Sequence, residues 1–252
     1  MELNMQIYDD REKREQIANS LEATWELLEE LKLYIDPTLE ADNKRPQFEE
    51  VALQLLPDAK EQLSRLSLSQ LEEVSKSCQL CPLAKQRKNV VFGEGSGNAK
   101  LMVIGEAPGA QEDEEGRPFV GNSGQYLTSW LKAINLDREK SIYITNIVKC
   151  RPPGNRDPHE SEAEKCLSYL RQQIALIKPD LILCLGRVAT HYLLNTSASL
   201  SSMRMKIHRF ETISTIVTYH PSAVLRNLSL RKEVWDDLRL VAKFLNLPAG
   251  NR

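Results

Sequence analysis

From Lys100 onward the sequence repeats one pattern: a short, largely apolar run, a glycine or polar residue, then a stretch with helical spacing. The runs are Leu101 to Ile104, Ile142 to Asn146, Leu181 to Leu185 and Ile213 to Tyr219. The helical stretches cover about Ser123 to Ile134, His159 to Ile177, Arg187 to Leu194 and Leu230 to Leu245. Strands that are apolar at every position need cover on both faces, as a parallel sheet joined by crossover helices provides. The expected fold is therefore α/β: a three-layer sandwich around a central, mainly parallel, four-stranded sheet. In such sheets ligands collect at the carboxyl ends of the strands. That rule selects Gly105 to Gly109, Asn146, Gly186 and Arg187, and His220 to Ser222.

The chain before this pattern has a different character. Residues 1–66 hold 16 acidic and 8 basic side chains, a net charge of −8, whereas residues 67–252 hold 19 and 25, a net of +6. Apolar residues recur at helical spacing from Glu12 to Tyr34 (Ile17, Leu21, Trp25, Leu28, Leu31). Asp36-Pro37 and the polar run Glu40 to Pro46 interrupt them, and a second helical pattern covers Phe48 to Leu55. Residues 1–66 are thus expected to form an acidic helical N-terminal extension, packed on the body or tethered to it, with a protein partner for its helix as the alternative. Residues 67–252 carry the function. Their basic surplus suits a nucleic-acid or phosphate binder, ordinary surface charge being the plain alternative.

Hydrophobic residues make up 41% of the chain and Gly plus Pro number 23, which excludes collagen-like and wholly disordered classes. No apolar run approaches the roughly 18 residues that span a bilayer. The start, MELNMQIYDDREKRE, carries charges where a secretory signal has its apolar segment. The protein is expected in the cytoplasm, nucleoid or nucleus, neither secreted nor membrane-bound, and as a monomer.

Five cysteines are too few for a disulfide framework. Cys78 and Cys81 are two residues apart and followed by Pro82; 68 residues then separate Cys81 from Cys150 and 15 separate Cys150 from Cys166. Two intervening residues let a turn aim both thiolates at one metal centre, and the later pair reaches it if the segment around Cys78 folds back over the loop after the second strand. Spacing alone admits either zinc or an iron–sulfur cluster. Cys184, inside the apolar run Leu181 to Leu185, reads as a small core residue.

Taken together, the motifs resemble one family. They are Cys78-x2-Cys81-Pro82, Val91 to Gly95, GEAPG at 105–109 with Gln111-Glu112-Asp113, Gly116 to Gly121, Thr145-Asn146, Lys149 to Pro153 and His220-Pro221-Ser222. Their order is similar to that of the family 4 uracil-DNA glycosylases, iron–sulfur members of the uracil glycosylase superfamily, over about Ser67 to Leu247. The resemblance implies that Cys78, Cys81, Cys150 and Cys166 ligate a [4Fe-4S] cluster of structural role. It implies an enzyme that flips uracil out of single- or double-stranded DNA and hydrolyses its N-glycosidic bond in base excision repair.

The resemblance also assigns roles. Phe119 stacks on the flipped base, and Asn146 reads its edge, with Gly105 and Ala107 completing the uracil pocket. His220 supports the developing anion. Glu106 positions the water, with Glu112 as the other carboxylate in reach, able instead to crowd the place of a thymine methyl. On the DNA side are Ser222, Arg226 as a phosphate contact, and Leu225 or Val224 as the side chain that fills the gap left by the base. The chain departs from the better known family 1 pattern GQDPY: Ala107 stands at the position of its water-activating Asp, so that pattern's base catalysis does not carry over. Two other readings remain, a broader-specificity iron–sulfur glycosylase and a nucleic-acid-binding module without turnover.

Overall fold

The computed structural model describes residues 16, 18–24, 26 and 66–248. The chain divides into two units, Met1–Leu66 and Ser67–Arg252. In the first, residues 16, 18–24 and 26 are helical and fall inside the helix expected over Glu12 to Tyr34. The rest of that helix, the polar break and the pattern over Phe48 to Leu55 lie outside the described residues.

The second unit is built on strands β1 (Glu94–Gly95), β2 (Leu101–Gly105), β3 (Ile142–Asn146), β4 (Leu181–Leu185), β5 (His208–Phe210) and β6 (Ile213–Thr218). They form one sheet in the order β1-β3-β2-β4-β6-β5. The pairs β2–β3, β2–β4 and β4–β6 are parallel; β1 and β5 add antiparallel edges. The parallel centre is the expected one, but the sheet has six strands where four were expected. The edge strands are two and three residues long and carry no apolar run, so periodicity gives no sign of them.

The helices are α1 (Leu68–Lys76), α2 (Ala110–Glu115), α3 (Asn122–Ala133), α4 (Glu160–Ile177), α5 (Arg187–Leu194), α6 (Leu200–Met203), α7 (Pro221–Arg226) and α8 (Arg231–Phe244). Ser67 starts α1 with a reciprocal cap: its Oγ accepts the Gln70 N–H at 3.3 Å and Gln70 Oε1 accepts the Ser67 N–H at 2.9 Å. At the start of α4, Glu162 accepts the His159 N–H at 2.8 Å.

Alternate residues of the central strands feed two separate cores. Leu101, Val103, Ile142, Ile144, Leu181, Leu183 and Ile216 pack with Leu127 and Leu131 of α3 and with Val234, Leu238 and Val241 of α8. Met102, Ile104, Tyr143, Ile182, Cys184 and Val217 pack on the other face with Leu170 and Ile174 of α4 and Ala189 and Leu193 of α5. Helices therefore cover both faces, giving the three layers, and Cys184 is a fully buried core residue. Every residue of β2, β3 and β4 is buried, so what their carboxyl ends expose is confined to the loops that follow. The register sets Gly105 beside Asn146 and Leu185 beside Thr218, opening all four parallel strands onto one edge.

Candidate active site

At that edge lies a cleft of about 700 Å³, lined among others by Glu106, Ala107, Glu112, Phe119, Asn146, His220, Ser222 and Arg226. Its size is in the range of small-molecule sites and exceeds the need of a free pyrimidine. Sequence-selected residues from four separate loops thus meet at one place.

Asn146 ends β3 and is 1% exposed, and its Oδ1 has no hydrogen-bond partner. A buried acceptor left alone costs about 1–3 kcal/mol, so the amide is held ready for a ligand donor. Its backbone is fixed from behind: the buried Lys149 ammonium donates to the Asn146 carbonyl at 2.7 Å and to Thr145 Oγ1 at 2.6 Å. Phe119 stands next to it, and Gly105 lets the two approach. A Cβ on Gly105 would lie 2.4 Å from Asn146 Oδ1 and 2.5 Å from the Phe119 ring.

The Phe119 backbone is left-handed, with φ +53°, a conformation that costs a non-glycine residue about 1–3 kcal/mol. The bend is wedged on one side by α3, where a Cβ on Gly124 would come within 1.7 Å of the Phe119 carbonyl oxygen. On the other side the Arg138 guanidinium donates to the Phe119 carbonyl at 2.8 Å and to the Pro118 carbonyl.

His220 follows β6, its ring centroid 5.7 Å from that of Phe119. The Ser222 backbone N–H donates to His220 Nδ1 at 3.2 Å, and Ser222 Oγ lies 2.8 Å from the same atom. An Nδ1 that accepts leaves the ring proton on Nε2. Burial, and after it the Arg226 guanidinium, push His220 down to about 4, so the imidazole is neutral and an Nε2–H donor. The strand that delivers it is fastened underneath by Asp237, which accepts from Thr218 Oγ1 at 2.6 Å and from Arg204 Nε at 2.7 Å.

The two carboxylates differ sharply. Among the described residues Glu106 has no side-chain hydrogen-bond partner. Burial, then the nearby charge of Asp157, raise it to about 7 against the opposing pull of Arg187. Asp157 and Arg187 pair at 2.7 Å on the cleft wall. Glu112 is tied to the backbone: its oxygens accept the N–H groups of Gly109, Val120 and Gly121 at 3.1, 3.1 and 3.2 Å. It ties the loop after β2 to the loop that carries Phe119.

Of the residues selected for DNA contact, Ser222 spends its hydroxyl on His220, and Arg226 is exposed at the cleft with no hydrogen-bond partner among the described residues. Leu225 is 41% exposed whereas Val224 is fully buried in the core, so Val224 is not available to enter DNA.

The four matched cysteines line a second recess, together with Arg87, Val90, Lys149 and Tyr169. Cys78 and Cys81 lie between α1 and the 3-10 turn Pro82–Lys85, Cys150 on the loop after β3, and Cys166 in α4. N–H groups are aimed at two of the sulfurs: Arg87 donates to Cys150 Sγ at 3.4 Å and the Lys149 backbone N–H to Cys166 Sγ at 3.3 Å. Burial pushes Cys150 up to about 11 and Cys166 to about 12. As thiolates they therefore need a cationic centre between them. Among the described residues no three His, Cys, Asp or Glu side chains close on a single ion; the sulfurs border a recess instead.

The family model for the uracil DNA glycosylase superfamily matches residues 92–239, more than half of the chain. This chain belongs to that superfamily, among its type-4 members. A type-4 uracil-DNA glycosylase of Pyrobaculum aerophilum is 44% identical over 183 residues, which cover 69% of this chain and 93% of that protein. One from Saccharolobus solfataricus is 46% identical over 184 residues, 69% of this chain and 84% of that protein. A third, from Thermotoga maritima, is 40% identical over 179 residues, 69% and 93%. In this type-4 chain sequence reasoning passed over Arg138 and Arg204 behind the cleft and Asp157 on its wall. Arg187 was marked by its place after a strand and Lys149 by its motif, but the sequence showed the contacts of neither.

Proposed function

We propose that this protein removes uracil from DNA by hydrolysing the N-glycosidic bond of an extruded deoxyuridine, leaving an abasic site for base excision repair. One observation carries the reading. The cleft unites a stacking ring, a buried amide with an unpaired acceptor, a neutral imidazole and a carboxyl without a protein partner. The type-4 names of its relatives support the same activity.

Extruding the base costs a few kcal/mol of stacking and pairing, and stacking on Phe119 returns about 1–3 kcal/mol. Asn146 Oδ1 accepts the uracil ring N–H and its amide N–H group donates to the adjacent carbonyl. Cytosine presents the opposite pattern, and its binding would leave both partners unpaired. As the bond to the sugar stretches, negative charge gathers on the base. The His220 Nε2–H, oriented by Ser222, strengthens its hydrogen bond to the other carbonyl just then. Glu106, as carboxylate, holds the water at the sugar carbon, where an oxocarbenium-like path asks little of a general base. Glu112, whose oxygens already accept three backbone N–H groups, serves to hold the Phe119 loop. Arg226 takes a phosphate and Leu225 enters the gap in the stack.

Cys78, Cys81, Cys150 and Cys166 would hold a [4Fe-4S] cluster, whose thiolate ligands the N–H donors of Arg87 and Lys149 suit. Its role when bound is to cross-link the α1 end to α4 and the loop after β3, because hydrolysis by water needs no electron. The acting unit is residues 67–252 as a monomer on uracil-containing DNA.

Single-turnover excision from one uracil-containing and one hypoxanthine-containing oligonucleotide tests the reading. The wild type should act on uracil and leave hypoxanthine. His220→Ala should slow release roughly 100-fold with DNA affinity held within a few-fold, and Asn146→Asp should lose uracil. Equal rates for all three proteins would refute the assignment.

A further inference from the structure

The ring that stacks on the base is held by a device remote from the substrate. Arg138 sits in the turn between α3 and β3 with its side chain 15% exposed. One guanidinium nitrogen donates to the Phe119 carbonyl at 2.8 Å and to Thr128 Oγ1 at 3.3 Å, and the other donates to the Pro118 carbonyl. Its Nε faces Glu94 Oε1 at 3.3 Å. Glu94, on the edge strand β1, also receives Arg117 through two bonds of 2.7 and 3.1 Å. Burial works against the Glu94 charge, yet the two guanidiniums hold its carboxyl below the usual carboxylate range.

The planar fork of a guanidinium can satisfy two successive carbonyls that a left-handed residue turns the same way; an ammonium offers a point charge without that geometry. The Phe119 bend is also held by packing against Gly124 and by Glu112 on the following N–H groups.

We propose that Arg138, anchored by Glu94, is a positioning residue for base excision: it locks the left-handed Phe119 backbone so that the ring meets the flipped uracil. It touches neither base nor sugar and acts through Phe119. The inference rests on the stacking role of Phe119.

The test compares Arg138→Met, Arg138→Lys, Phe119→Leu and the double variant Phe119→Leu/Arg138→Met on the full chain. Readouts are single-turnover excision, oligonucleotide affinity and melting temperature. Arg138→Met should slow excision roughly tenfold or more while affinity changes by no more than about threefold, since stacking matters once the base is extruded. Arg138→Lys should fall between and covers the case in which the Met variant does not fold. Millimolar methylguanidinium should restore part of the Arg138→Met rate and none of the Phe119→Leu rate, a rescue that loss of general stability would not show. The double variant should be no slower than the slower single one. Phe119→Leu at the wild-type rate would sink the stacking reading and this inference with it. A slow Phe119→Leu beside a fast Arg138→Lys and Arg138→Met, or multiplying losses without rescue, would overturn the inference alone.

Discussion

Glu106 and His220 face one cleft with their proton affinities shifted in opposite directions, to about 7 and about 4. A histidine that stays neutral adds no ionisation near neutrality. The pH profile of kcat/KM should therefore show one rising limb centred near 7, where Glu106 loses its proton and can hold water. Glu106→Gln should abolish that limb along with most of the rate. Asp157→Asn should move the midpoint down and Arg187→Ala up, because removing an anion favours the carboxylate and removing a cation disfavours it. Stability follows the same sign. The fold binds this proton more tightly than the unfolded chain, whose ordinary value is 4.5. The native state thus loses stability as pH rises from there through about 7, and Glu106→Gln should melt higher than wild type near pH 8 but not near pH 4. A wild-type profile in Glu106→Gln would remove Glu106 from the reaction. The residues assigned to the reaction could be selected from the sequence because each ends a strand or stands in an unbroken motif. The residues that hold them were not: Arg138 binds a carbonyl 20 positions away and Arg204 a carboxylate 33 away, and nothing local marks such pairs. The motif around Glu112 likewise shows a carboxylate but not the three N–H groups its oxygens accept.

The elements of the second unit divide by how much of their pattern is local. The four parallel strands and their crossover helices were readable because each buries a largely apolar run or stripe, whereas β1 and β5 exist only through pairing with a neighbour. The cysteine recess is also a relation between elements, joining the end of α1 and the 3-10 turn after it to the β3 loop and α4. Closing a chain segment of that length removes more freedom from the unfolded state than a local link would. The purified protein should be brown, with about four irons per chain. Cys166→Ser should lose the iron and lower the melting temperature. Cys184→Ala, in the core and away from the recess, should keep the iron and cost roughly 1–2 kcal/mol for a small cavity. One zinc and no iron by metal analysis would contradict the ligand assignment.

Across the whole chain the charge is split, −8 over residues 1–66 and +6 over residues 67–252. Every residue assigned to cleft and recess lies in the second part, while the first carries a net charge of the same sign as a polyanionic substrate. Phosphate contacts dominate affinity for DNA and weaken as salt rises, and exposed charges more than about 10 Å apart are largely screened at 0.1 M salt. A protein starting at Ser67 should therefore excise uracil at about the full-length single-turnover rate. It should bind DNA a few-fold more tightly at low salt, with the difference closing as salt is raised. That convergence separates long-range repulsion from a specific contact, because a contact made by the extension would leave a gap between the two proteins at every salt concentration. Loss of folding or of excision on truncation would instead make residues 1–66 part of the working enzyme.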